Sequence, residues 1–132
     1  MSDARFEDGL EKPLRLIAFD AEDLQVLSAM TQDAVLPVAQ MAWQSSERRF
    51  ALLLNRFRWE ARGASQIERV QSILSFEDVK AVQTQGFDRT VPDLVLSLLS
   101  LTFTPKSDGA GACLLTFAGD GAIRLKVEAL EA

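Results

Sequence analysis

Residues 49–60 read RFALLLNRFRWE, and their alternation decides the fold. Ala51, Leu53, Asn55, Phe57 and Trp59 fall on one side of an extended chain. Phe50, Leu52, Leu54, Arg56 and Arg58 fall on the other. A run that keeps both series is a strand, not a helix. The second series starts apolar and ends basic, which predicts that this end of the strand reaches water on that side.

The same period of two returns on both flanks. Upstream, 34–44 alternates but contains Pro37. A proline has no amide hydrogen, so this strand is expected at a sheet edge or bulged at Pro37. Before it the period lengthens. Asp20 has the character of a helix cap, with Glu22 and Asp23 placing negative charge in the first turn. Phe19 and Leu24 have the spacing of a hydrophobic staple. Leu24, Leu27 and Thr31 then share one face, which predicts a helix over 21–32. Residues 14–19 form a further short strand candidate.

Downstream, 67–76 reads as a strand with Val70, Ser72, Leu74 and Phe76 inward. Glu77 and Asp78 turn it into a strand over 79–85. The leucine-rich stretch 94–104 is expected to be central. Strands over 113–118 and 122–128 flank Gly119-Asp120-Gly121, a strong hairpin signal. In the last strand Ile123, Leu125 and Val127 alternate with Arg124, Lys126 and Glu128, one face buried and one wet. Residues 128–132 read as the start of a terminal helix.

These elements give an α+β domain. Its expected architecture is an antiparallel β meander or partial barrel, pleckstrin-homology-like, with one N-terminal helix. A flat sheet with one covering helix is the alternative. Residues 1–13 are expected to be a flexible tail and 14–132 a single domain.

The chain has 132 residues, with 14 basic and 19 acidic side chains and a net charge of -5. That length buries a sufficient core without staples. The negative balance argues against nucleic acid as a partner. No apolar run approaches the roughly 20 residues a membrane helix needs. The single cysteine, Cys113, permits no internal disulfide, which fits a reducing compartment. A cytoplasmic location is the expectation.

The absence of histidine and tyrosine removes much catalytic chemistry. No Ser-His-Asp or Cys-His nucleophile system is available, and one thiolate without histidine makes no zinc site. Cys113 reads as a small core residue. Glu77 and Asp78 are adjacent on extended backbone, where side chains point to opposite faces, so they make a poor acid–base pair. Gly109 and Gly111 lack the lysine and hydroxyl residue of a phosphate loop. No cofactor or metal is expected.

One cluster stands out. Arg48, Arg49, Asn55, Arg56, Arg58 and Trp59, with Phe57 and Arg62 nearby, gather basic, amide and aromatic groups in an acidic chain. Arginine offers a planar fork for carboxylate or phosphate. The plainer reading is a solvated face of Arg56 and Arg58 paired with cross-strand carboxylates. The sharper reading is a binding strip for an anion, nucleic acid or protein.

Residues 46–60 (SERRFALLLNRFRWE), the preceding LRLIAFDAEDLQVLSAMTQDAV at 14–35 and the closing GDGAIRLKVEALEA at 119–132 resemble a domain-of-unknown-function family common in alphaproteobacteria. The resemblance covers most of the chain. It implies a small bacterial cytoplasmic protein and carries no activity. The leading functional expectation is therefore a non-enzymatic binding or protein-interaction module. Its partner would be an unknown protein, or a second copy joined through an edge strand. A small carboxylate-based enzyme or an apolar-ligand-binding barrel is the alternative.

Overall fold

The computed structural model describes residues 16–57, 69–88 and 90–132. In chain order it holds helix α1 (Ala21–Thr31) and strand β1 (Val35–Pro37). A 3-10 turn (Val38–Gln40) leads to β2 (Met41–Gln44). A second turn (Ser45–Glu47) precedes β3 (Arg49–Phe57), β4 (Arg69–Phe76), β5 (Val79–Gln85) and β6 (Val95–Pro105). A third turn (Ser107–Gly109) leads to β7 (Gly111–Phe117) and β8 (Ala122–Val127).

Every strand pair is antiparallel. β4 pairs with one edge of β3, and β1 and β2 share the other edge in succession. From β1 the order continues through β6, β7 and β8 to β5. β4 and β5 thus stand at opposite ends of the hydrogen-bonded order. Only Glu77 and Asp78 separate them in the chain. The sheet must curl to bring its ends together, and the result is a nearly closed, barrel-like sheet with one α-helix among the described residues.

Helix α1 begins where the sequence places it. The Asp20 side chain accepts the Asp23 N–H at 2.8 Å, and the Asp23 carboxylate accepts the Phe19 N–H at 3.2 Å. This reciprocal pair satisfies two amides that a helix start leaves open. The cap stands on these carboxylates, since Phe19 is 58% exposed while Leu24 is buried. Leu24, Leu27 and Thr31 form the buried face.

The helix also settles an edge problem. β1 pairs with β6 at Val95 to Ser97, backbone bonds from Asp33 and to Ala34 carry the contact on to Leu98, and α1 packs against β6 further along. There the Leu101 N–H donates to Ser28 Oγ at 2.9 Å. A serine hydroxyl thus takes an amide that no strand reaches. A register shift between Leu98 and Ser100 switches the buried set from Leu96 and Leu98 to Leu101.

The interior is one packed cluster. Phe50, Leu52 and Leu54 of β3 meet Leu115 and Phe117 of β7 and Ile123, Leu125 and Val127 of β8. The 119–121 hairpin forms with Gly119 and Asp120 both at positive φ, as a primed two-residue turn requires.

Three expectations need correction. Pro37 is not on an edge strand, because β1 lies between β3 and β6. The bulged alternative describes it better. From Val35 to Met41 the chain takes six steps while β3 takes three, from Asn55 to Leu52. The 3-10 turn after Pro37 absorbs the surplus. The expected strand over 14–19 joins no ladder over its described part. Ala18 instead exchanges two backbone hydrogen bonds with Ala132, at 2.7 and 3.0 Å. Residues 128–132 accordingly form no helix: the chain bends at Glu128 and Ala129 and continues without regular structure. The expected tail, 1–13, lies outside the described residues.

Two substitutions check this account by urea unfolding. Asp20→Ala is expected to cost on the order of 1 kcal/mol through the lost cap. Ser28→Ala is expected to cost about 1–3 kcal/mol by leaving the Leu101 amide unsatisfied. Wild-type stability in Ser28→Ala would show that the hydroxyl does not protect the β6 edge.

Candidate functional site

Strand parity puts Arg56 on the inner series of β3, after Phe50, Leu52 and Leu54. It is 5% exposed, so the solvated strand end read from its charge is wrong for this residue. An uncompensated buried cation costs several kcal/mol, and the site answers with acceptors. Among the bonds of the guanidinium, Nε donates to Ser72 Oγ at 2.8 Å and Nη1 to the Phe57 carbonyl at 3.1 Å. The register supplies Ser72, which stands opposite Leu54, two positions from the Arg56–Val70 pair and on the same face. The Arg69 guanidinium carbon lies 4.1 Å from the centroid of the Phe57 ring, a cation–π contact.

Arg56 helps to wall a cleft of about 260 Å³. Leu27, Met30 and Thr31 of α1 form one side, and Ser72, Ile73, Leu74 and Ser75 of β4 form the other. Leu54, Leu16 and Ala132 complete it. The β4 contribution is informative. Successive side chains on a strand point to opposite faces, so four consecutive residues border one cleft only where it runs along the strand's edge. Among the described residues β4 pairs only with β3, and this is its other edge. Ile73, 74% exposed, stands on it.

The other residues of the expected strip lie elsewhere. Arg48 pairs with Glu128, and Arg49 bridges Glu47 at 3.0 Å and Glu77 at 2.7 Å. Arg49 is seven positions from Arg56 along β3, roughly 23 Å at strand rise. Asn55 is exposed on the outer face, opposite Val35 and Gln71. Arg58, Trp59 and Arg62 lie outside the described residues. The charge run therefore supplies ion pairs at one end of β3 and a cleft wall at the other. Met30, Ser72 and Ser75 escape a sequence reading because neither charge nor an unusual residue type marks them.

Little proton chemistry is available in the cleft. Arg56 is the one titratable side chain among its described wall residues. Cys113 is 1% exposed in the core, and burial pushes its thiol up to about 12. It is no nucleophile at neutral pH. Of the acidic groups weighed above, Asp20 and Asp23 cap α1, Glu77 holds Arg49, and Asp78 turns the chain at φ 56°. No group of three or more cysteine or carboxylate side chains that could hold a metal occurs among the described residues.

Arg56→Gln is expected to cost about 1–3 kcal/mol in chemical unfolding, because buried acceptors lose their donors. A surface arginine would cost less than about 1 kcal/mol. The Glu128 carboxyl is held below its ordinary 4.5, first by its hydrogen bond to Arg48. A depressed carboxyl stabilises the fold above its unfolded value and loses that contribution as pH falls through the folded value. Acid unfolding below pH 4.5 should therefore be less steep in Glu128→Gln. An unchanged profile would show that the pair does not contribute.

The model of a family described as "Protein of unknown function (DUF2948)" matches residues 14–132. No curated protein and no solved structure matches the chain. With nearly the whole chain matched, and every strand and helix described above inside the match, the protein belongs to the DUF2948 family.

Proposed function

We propose that the protein is a non-enzymatic interaction module that takes an extended segment of a partner protein along the edge of β4 that no strand among the described residues pairs. One observation carries the reading: an edge strand and a helix border the same cleft of about 260 Å³. A strand added to a sheet edge gains main-chain hydrogen bonds, and a pocket beside the edge selects a side chain, as in PDZ and PTB domains. The cleft is smaller than the roughly 300–1,000 Å³ of drug-sized ligand sites. It suits one side chain of the partner, apolar along its stem.

A pleckstrin-homology-like arrangement, a barrel with a helix beside a strand edge, goes with this reading, as does a bacterial cytoplasm. Neither alternative finds equal support. Among its described residues the cleft presents no pair of carboxylates for acid–base work, and leucine and phenylalanine side chains fill the barrel where an apolar ligand would sit.

Panning a displayed library of random peptides tests the proposal. Wild type should enrich peptides that share one apolar position. Met30→Trp fills the cleft and Ile73→Lys charges the edge. Both variants should fold and bind the enriched peptides roughly tenfold more weakly, about 1.4 kcal/mol. No enrichment over Met30→Trp would sink the proposal. A dimer that Ile73→Lys dissociates would assign the edge to a second copy instead.

A further inference from the structure

The outer face of β5, β8, β7 and β6 carries a separate feature. Their inner positions are spent on the core, and the register lays the outer positions in rows across the four strands. Gln83, Arg124, Leu114 and Thr102 form one row. Lys126 and Thr104 stand in the next row, beyond Arg124, and Gln85 begins the row on the opposite side. Lys106 follows directly at the end of β6. The surface is dished, with a concavity of about 470 Å³ bordered by Gln83, Gln85, Thr104, Lys106 and Arg124.

The charge on this surface is segregated. The chain has 19 acidic and 14 basic side chains, yet no acidic residue occupies any of the three rows. Arg124, Lys126 and Lys106 are exposed, and no ion pair among the described residues engages them. The pairs that form involve Arg48 and Arg49. Arg124 and Lys126 are two positions apart on β8, so their side chains rise from the sheet about 7 Å from each other.

We propose that this dished face docks an acidic segment of a partner protein. The arginine and lysines meet its carboxylates, Arg124 with a planar fork. The amides of Gln83 and Gln85 and the hydroxyl of Thr104 offer donors and acceptors to its backbone. A carboxylate-bearing chain fits better than nucleic acid, because no aromatic side chain occupies the three rows to stack bases.

The probe is a short fluorescein-labelled polyglutamate peptide, titrated at about 0.01 M and 0.15 M salt. Wild type should bind at low salt and more weakly at high salt. Arg124→Glu should weaken binding roughly tenfold. Arg69→Glu makes the same charge change beside Phe57 and should leave affinity close to wild type. Equal losses in the two variants would reduce the effect to net charge and overturn the proposal, as would absence of binding at low salt. Tighter binding of single-stranded DNA of equal charge would overturn the assignment to a protein partner. Met30→Trp should bind polyglutamate as wild type does, which separates failure here from failure of the β4 groove.

Discussion

Two residues hold the ends of this sheet together. Glu77 and Asp78 join β4 to β5, the first and last strands of the hydrogen-bonded order. The residues on either side, Phe76 and Val79, are both 0% exposed. A flat sheet would hold its terminal strands many strand widths apart, each about 4.8 Å. The link forbids that, so the sheet curls. Local bonds secure the corner: Glu77 N–H to the Glu131 carbonyl, Val79 N–H to the Arg48 carbonyl, and Glu128 N–H to the Asp78 carbonyl. The Arg49–Glu77 ion pair lies over the same corner. Asp78 accepts a left-handed backbone to make the turn, which aspartate tolerates better than most residues.

Closure at this corner leaves work for α1. The backbone pairing of β6 with the β1 segment stops at Leu98, and β4 shows one paired edge among the described residues. The helix lies where both edges would otherwise be bare. Toward β6 it gives a hydroxyl, Ser28, and apolar packing. Toward β4 it gives Leu27, Met30 and Thr31 across an open cleft. One helix therefore finishes one edge and leaves the other available. Buried residues on the first side resist opening, while the second side has exposed atoms such as those of Ile73 and few constraints.

The sequence announces what depends on neighbours in the chain. The Asp20 cap, the parity of β3, the buried series of β8 and the 119–121 hairpin are all local, and the structure has them. Arg56 was legible as unusual but not as buried. Its charge argued for water, and acceptors such as the cross-strand Ser72 hydroxyl and the Phe57 carbonyl make an inward guanidinium tolerable. Pro37 was legible as a break in pairing, but not the surplus residues that let its strand stay inside the sheet. The pairing of Ala18 with Ala132 leaves no periodic trace, since it involves two isolated alanines. The β4 cleft was illegible for a similar reason. It arises from where α1 comes to rest, and ordinary serines and a methionine line it.

That Ala18–Ala132 pair also places the fold in time. The two residues are separated by 114 positions (132 less 18), and each gives the other its backbone hydrogen bonds. During synthesis at roughly 5–20 residues per second, the interval between them is on the order of ten seconds. Throughout that interval the stretch before α1 has emerged and its partner does not yet exist. β5 likewise waits for β8, and β1 for β6. Hairpins such as β3–β4 can form as they appear, but the barrel can only shut after release of the stretch that carries β8. A nascent chain that has reached β6 but not β8 therefore carries an apolar inner face on β3 whose other half has yet to be made.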